Sequence, residues 1–136
     1  MPEYNDLESA VEFVSTDGGG ANFAVYDRET DKLFYQSPYA DFDDFPEDVE
    51  DARYVRIPTK KDLDLGRDLV FRFARQAMPD DEDLVYSFFQ HRGAYGSFKD
   101  LLAHRNMVDQ WHQFEDKATR QAIEQWCNEN GIKITG

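Results

Sequence analysis

The sequence is poor in residues that would cross-link the chain or anchor it in a membrane. Cys127 is its single cysteine, so no internal disulfide can form, and a lone thiol is typical of a reducing compartment. No apolar run approaches the roughly 18 residues of a membrane span. The first residues have neither the basic region nor the apolar core of a secretion signal. These absences predict a cytoplasmic protein that does not associate with membranes.

Positive charge is scarce in one part of the chain. The sequence holds 28 acidic side chains against 15 lysines and arginines, a net charge of -13. Residues 1–51 contain 15 of these acids and only two bases, Arg28 and Lys32, whereas residues 52–136 hold 13 of each. A field of this sign repels nucleic acid at long range. It does not exclude a local basic site in the second half.

The rest of the composition is that of a folded domain. The chain has 136 residues, of which 40% are hydrophobic and 15% aromatic, too many for a disordered protein. A chain of this length buries roughly two-thirds of its unfolded surface and needs no metal or disulfide to fold. We therefore predict a single domain over residues 1–136, with an acidic, strand-rich part at 1–58 and a helical part at 59–131.

Alternating apolar residues predict the strands. These strands occupy residues 11–14, 22–26, 32–35 and 54–57. The polar residues 28–31 are expected to close an antiparallel hairpin. Asp17-Gly18-Gly19-Gly20 is expected to form the turn after the first strand. The first half should therefore be an antiparallel meander of three to four strands.

From residue 59 onward the apolar residues follow a helical period. We predict helices over 61–77, over 80–92 with Gly93 as the stop, around Phe98, and from Asn106 to Asn130-Gly131, followed by a short strand at Ile132 and Ile134. Thr59 is expected to cap the first helix and Asn106 the last. The positions expected in the core are Phe73, Leu84, Val85, Phe88, Phe89, Phe98, Leu101, Leu102, Trp111, Phe114, Trp126 and Cys127. Strands followed by about four helices predict an α+β fold with the helices packed on the sheet.

The segment 38–52 combines seven acids with three aromatic residues and two prolines. It lacks the sixth-position glycine and terminal glutamate of a Ca²⁺ loop. We predict either a solvated acidic loop held by its aromatic residues or a loop that binds a basic protein. The candidate interaction residues are Asp41, Asp43, Asp44, Glu47 and Asp48.

A basic segment runs from His91 to Arg105 and has an aromatic ring available for stacking. The candidate binding residues are Arg92, Tyr95, Lys99, Asp100, Arg105 and His112. Further bases could join them: Arg53, Arg56, Lys60, Lys61, Arg67, Arg72 and Arg75. Together they could line a surface for nucleic acid or another polyanion. The alternative is structural, because Arg92 suits a helix C-terminus and the bases of 53–75 could neutralise the acidic loop before them.

No catalytic residue, metal site or cofactor site is predicted. The three histidines, His91, His104 and His112, do not show the spacing of metal ligands. Cys127 lies near the end of a predicted helix, where its thiol is not activated, so a packing role is expected. Asp17-Gly18-Gly19-Gly20 lacks the Lys-Ser/Thr of a phosphate-binding loop.

The second half resembles the bacterial uncharacterised protein family 0158. The segments that carry this resemblance are Arg92-Gly93-Ala94-Tyr95, Phe98-Lys99-Asp100-Leu101-Leu102, Trp111-His112-Gln113-Phe114, Glu124-Gln125-Trp126-Cys127 and Asn130-Gly131-Ile132. The hairpin at 22–35 and Arg56-Ile57-Pro58 are also similar, so the resemblance covers most of the chain. His91, Tyr95 and His112 depart mildly from the family pattern. The resemblance implies element boundaries but no activity.

These observations leave two main hypotheses and one distant alternative. The first is a non-enzymatic interaction module that binds a basic partner through its acidic loop. The second is a nucleic-acid or polyanion binder that uses the basic helical surface. A phosphoester hydrolase is the distant third, because neither a metal cluster nor a nucleophile–base pair can be assembled from the residues.

Overall fold

The described part of the chain has the predicted α+β class, with a three-stranded antiparallel sheet near the N-terminus and five helices, mostly C-terminal. The computed structural model describes residues 1–16 and 21–136, so the predicted turn at 17–20 lies outside the described residues. The elements in chain order are α1 (Tyr4–Ser15), β1 (Phe23–Asp27), β2 (Leu33–Gln36), β3 (Tyr54–Arg56), α2 (Arg67–Ala77), α3 (Glu82–Phe88), α4 (Ala94–His104) and α5 (Val108–Glu129). A short 3-10 turn at Pro79–Asp81 precedes α3.

The chain forms two compact units. The first comprises residues 1–63 and 121–136, and the second comprises residues 64–120. The first contains α1, the sheet and the end of α5, while the second contains α2 to α4 and the start of α5. That the whole chain acts as one domain stays a prediction.

In the first unit, β1 is the central strand of the sheet. It pairs antiparallel with β2, where Val25 faces Phe34, and with β3, where Tyr26 faces Val55. The predicted hairpin over 22–35 is therefore confirmed. The strand order is β2-β1-β3, so the chain crosses from one edge of the sheet to the other through the acidic segment, which a simple meander does not do.

The predicted strand at 11–14 is wrong, because these residues belong to helix α1. Leu7, Ala10, Val11 and Val14 are all buried and recur at the i, i+3, i+4 and i+7 positions of a helix. The four-residue window at 11–14 was too short to distinguish this period from strand alternation.

The core of the first unit lies between α1, the sheet and the end of α5. Leu7 and Val11 of α1 share a buried cluster with Tyr26 of β1 and with Ile123 and Cys127 of α5. Cys127 is 1% exposed, and burial raises the pKa of its thiol to about 11. The predicted packing role of this cysteine is confirmed.

The end of α5 is the one that the sequence predicts. Gly131 adopts a left-handed backbone with φ of 68°. The amide N–H of Ile132 donates to the carbonyl of Cys127 at 2.8 Å, which closes a Schellman-type helix end. The predicted terminal strand is reduced to a parallel bridge between Thr135 and Glu3 among the described residues.

The second unit is built around an aromatic cluster. Phe73 of α2, Phe98 of α4 and Trp111 of α5 are each at most 6% exposed, and the Phe98 and Trp111 rings meet edge-on with centroids 5.0 Å apart. Phe114 is half-buried beside them. The predicted core positions Val85, Leu101 and Leu102 are also buried. Leu84 is the exception, because it is 44% exposed.

The first predicted helix begins six residues later than expected. Thr59 and Asp62 form a reciprocal capping pair, in which the amide N–H of each donates to the side chain of the other at 3.0 and 3.1 Å. The chain nevertheless makes only a turn there, since Asp64 adopts a left-handed backbone with φ of 56°. Helix α2 then starts at Arg67.

Two further caps were assigned to the wrong helix. Helix α3 ends at Phe88, so Gly93, with φ of 75°, lies immediately before α4 instead of closing α3. Asn106 closes α4 and does not cap α5. It has φ of 55°, and the amide N–H of Met107 donates to the carbonyl of Leu102 at 2.9 Å.

Candidate functional site

The acidic loop, residues 38–52, is irregular and is held to the first unit by Phe42. The Phe42 ring lies edge-on to Phe13 of α1, with centroids 6.0 Å apart, and 6.1 Å from Tyr35 of β2. Tyr39, by contrast, is 79% exposed. The predicted anchoring by aromatic residues therefore holds for Phe42, while Tyr39 presents its ring to solvent.

The acidic side chains of this loop are exposed and lack cationic partners. Asp41, Asp43, Asp44, Glu47 and Asp48 are all exposed. None of them forms an ion pair within residues 1–16 and 21–136. Asp48 lies near Tyr54, whose pKa is raised chiefly by burial and further by the charge of Asp48.

Two of the bases that follow the loop in the sequence pair with acids outside it. The Arg53 guanidinium binds Asp27 through Nη2 at 2.7 Å and Glu29 through Nη1 at 2.9 Å. The ammonium of Lys60 pairs with Glu12 of α1 at 2.6 Å. The structural alternative, in which these bases offset the charge of the loop, is therefore wrong for Arg53 and Lys60.

The pair of Asp27 and Arg53 was not predicted. Asp27 is 2% exposed at the end of β1. Its carboxylate accepts hydrogen bonds from the Arg53 guanidinium, the Glu29 amide and the Thr30 hydroxyl. The hydrogen bonds from Arg53 hold the pKa of Asp27 well below its usual range. Asp-Arg-Glu-Thr is a typical turn sequence, but nothing in it indicates the arginine 26 residues away.

The basic segment of the second unit is only partly available to a ligand. Arg105 donates two hydrogen bonds to the carboxylate of Asp81, at 3.0 and 3.1 Å. This bidentate contact raises the pKa of Arg105 and lowers that of Asp81. Arg92 and Lys99 are exposed, and neither forms an ion pair among the described residues.

The other candidates of this segment lie on the surface. Tyr95 is 50% exposed, and its ring meets Phe89 edge-on with centroids 5.2 Å apart. Asp100 is exposed on α4. His112 is exposed on α5, with Nδ1 4.0 Å from the carboxylate of Glu115.

The further bases predicted at residues 53–75 are divided between the two units, and most of them contact nearby side chains or carbonyls. In the first unit, the Arg56 guanidinium lies over the Phe23 ring, 4.6 Å from its centroid. In the second, Arg75 contacts Glu82 at 3.6 Å and donates to the Tyr86 hydroxyl at 3.2 Å. Arg72 donates to the carbonyl of Asp64 at 3.3 Å. Lys61 and Arg67 are exposed.

The described residues contain no group of three or more His, Cys, Asp or Glu side chains arranged to hold a metal ion. His91 and His104 are exposed, each apart from such a cluster. Within the same residues, no helix is both long and apolar enough to cross a membrane. Comparison with known proteins finds no matching family model, curated protein or solved structure.

Proposed function

We propose that this protein is a non-enzymatic interaction module whose acidic loop binds a basic protein partner. One observation carries the proposal: the exposed carboxylates of residues 41–48 lack ion-pair partners among the described residues. Arg53 and Lys60, two of the bases that follow the loop, pair with other acids. The charge of the loop is thus left for an external cation.

The placement of two aromatic residues supports the same proposal. Phe42 fixes one point of the loop against Phe13 and Tyr35, which reduces the entropy that the loop would lose on binding. Tyr39, 79% exposed, offers a ring on which an arginine or lysine of the partner could stack. An exposed aromatic ring followed in the sequence by exposed acids suits a partner rich in arginine.

The polyanion-binding alternative has weaker support. It relied on Arg92 and Arg105 acting together, but the Arg105 guanidinium is already engaged in two hydrogen bonds with Asp81. A phosphate would have to displace that carboxylate. Within the segment from His91 to Arg105, this leaves Arg92 and Lys99 as exposed cations without an ion-pair partner among the described residues, on a protein with a net charge of -13. Membership of the uncharacterised protein family 0158 and a cytoplasmic location are further proposals, which rest on the sequence alone.

The test compares two variants of equal net charge. The loop variant carries Asp41→Asn, Asp43→Asn and Asp44→Asn. The control variant carries three neutralisations at exposed helical positions: Asp109→Asn, Asp116→Asn and Glu129→Gln. The ligand is a synthetic oligoarginine peptide, and its affinity is measured by fluorescence anisotropy at physiological salt.

We expect the loop variant to bind the peptide about threefold to a hundredfold more weakly than the wild type, since each exposed ion pair contributes about 0.2–1 kcal/mol. The control variant should retain most of the affinity. Equal losses in both variants would show that net charge, not the loop, attracts the peptide, and would refute the proposal. Binding of single-stranded DNA at low salt that disappears in Arg92→Ala would favour the polyanion alternative instead.

A further inference from the structure

A pocket in the first unit is lined by the cationic side chains of Arg28 and Lys133. This unit contains residues 1–51, which hold 15 of the 28 acids. The volume of the pocket is about 220 Å³. The hairpin of β1 and β2 lines it with Tyr26, Arg28 and Asp31, and the segment after α5 lines it with Gly131, Ile132 and Lys133. Met1 completes the lining, and its ammonium pairs with Asp31 at 3.0 Å. Drug-sized ligands need about 300–1,000 Å³, so this pocket suits a small ion or a single functional group.

The guanidinium of the exposed Arg28 is oriented by one hydrogen bond and has donors to spare. Its Nη1 atom donates to the carbonyl of Asn130 at 2.5 Å, at the C-terminal end of α5. A guanidinium has five N–H donors, and Arg28 forms no ion pair with a carboxylate in the described part of the chain. Lys133 is exposed and also has no ion-pair partner there. Two cations of the pocket wall are therefore uncompensated by salt bridges.

The one acid in the pocket does not cancel them. Asp31 accepts hydrogen bonds on both oxygens, from the Tyr26 hydroxyl and from the Met1 ammonium. Even when Asp31 is counted as a full negative charge, Arg28 and Lys133 leave the pocket side chains with a net positive charge. Burial and then the hydrogen bond to Asp31 raise the pKa of Tyr26 to about 12, so the phenol adds no charge at neutral pH.

A left-handed glycine lies beside Arg28 in the pocket wall. Gly131 has φ of 68°, as the end of α5 requires. A Cβ atom at this position would lie 3.9 Å from Nη1 of Arg28, in ordinary van der Waals contact. An arginine that donates to a main-chain carbonyl and a lysine in the same pocket wall are elements of a small oxyanion site.

We propose that this pocket binds a phosphate group, held between Arg28 and Lys133. The two cations match the two negative charges of a phosphate better than the single charge of a carboxylate. The ligand is either inorganic phosphate or the phosphate of a small monoester. This site is separate from the acidic loop, so its failure would leave the proposed interaction function untouched.

The test follows the backbone amides of Gly131, Ile132 and Lys133 by nuclear magnetic resonance while sodium phosphate is added to the full chain. Ionic strength is kept constant with sodium chloride. The variant Lys133→Gln removes one cation from an exposed side chain. Lys32→Gln is the matched control, because Lys32 is exposed on the same hairpin but does not line the pocket. Arg28→Gln is examined as well, with thermal unfolding to confirm that it folds.

We expect saturable shifts in the wild type and in Lys32→Gln, and at least about threefold weaker binding in Lys133→Gln. Titration with methyl phosphate distinguishes the two sources: comparable binding indicates a monoester, and binding of inorganic phosphate alone indicates the free ion. Shifts that do not saturate, an equal loss in Lys32→Gln, or acetate binding as tightly as phosphate would each overturn the proposal.

Discussion

Phe42 connects the proposed binding loop to the folded core. A substitution at this position should therefore perturb the loop without changing its charge. The side chain is 39% exposed, so about three-fifths of it is covered, mainly by Phe13 and Tyr35. Full burial of a phenylalanine contributes about 1.5–3 kcal/mol. Phe42→Ala should therefore lower the free energy of unfolding by about 1–2 kcal/mol.

Urea unfolding followed by circular dichroism measures this change, and the same loop supplies the control. Tyr39 is 79% exposed, so Tyr39→Ala should change the free energy of unfolding by no more than about 0.5 kcal/mol. If Phe42→Ala and Tyr39→Ala are equally mild, Phe42 does not anchor the loop and the argument from ring contacts fails.

Phe42→Ala should also weaken the binding of the oligoarginine peptide. Phe42→Ala leaves every acid of the loop in place but frees the chain, so binding must then order about one or more additional residues at about 1–2 kcal/mol each. We expect about a tenfold loss of affinity in anisotropy measurements. Unchanged affinity in Phe42→Ala would show that composition alone, and not a positioned loop, attracts the peptide.

Three further predictions concern the fold. Arg53 lowers the pKa of Asp27 in the folded protein, so this carboxylate stabilises the fold fully above its unfolded pKa and loses that effect as the pH falls towards its folded pKa. The urea midpoint of the wild type should therefore drop more steeply between neutral and acidic pH than that of Asp27→Asn. Phe98→Ala should cost about 3–5 kcal/mol in the same urea assay, whereas the exposed neighbour Lys99→Ala should cost less than about 0.5 kcal/mol. The thiol of Cys127, with its pKa raised to about 11, should react with iodoacetamide at neutral pH only after urea unfolds the protein.

The sequence predicted those elements whose periodicity extends over a long window. The hairpin, the short helix around Phe98 and the end of α5 at Gly131 were each indicated by several consistent residues, and the structure confirms them. The strand assigned to residues 11–14 failed because four residues fit both periods. The helical period becomes visible only when Tyr4 and Leu7 are included.

The residues predicted as caps do adopt capping conformations, but not at the helix ends for which they were predicted. Thr59 and Asp62 do form a capping pair, yet the left-handed backbone of Asp64 stops the helix from starting there. Gly93 and Asn106 do adopt the left-handed conformation expected at helix ends. Their local preference identifies a break in the chain, but which neighbouring helix uses it depends on packing that a sequence does not show.

The sequence could not predict that the acids of the loop lack ion-pair partners among the described residues, because this depends on which acid each base contacts in the fold. Arg53 is two residues from Asp51, yet its guanidinium pairs with Asp27, 26 residues earlier. A carboxylate that is 2% exposed loses its hydration and requires a partner, whereas an exposed acid remains hydrated and gains little from an ion pair. The fold therefore directs its nearest arginine to the buried acid. Arg53 also contacts the exposed Glu29, and Lys60 pairs with the exposed Glu12. Both bases are thus engaged elsewhere in the first unit, and the acids of the loop keep their negative charge.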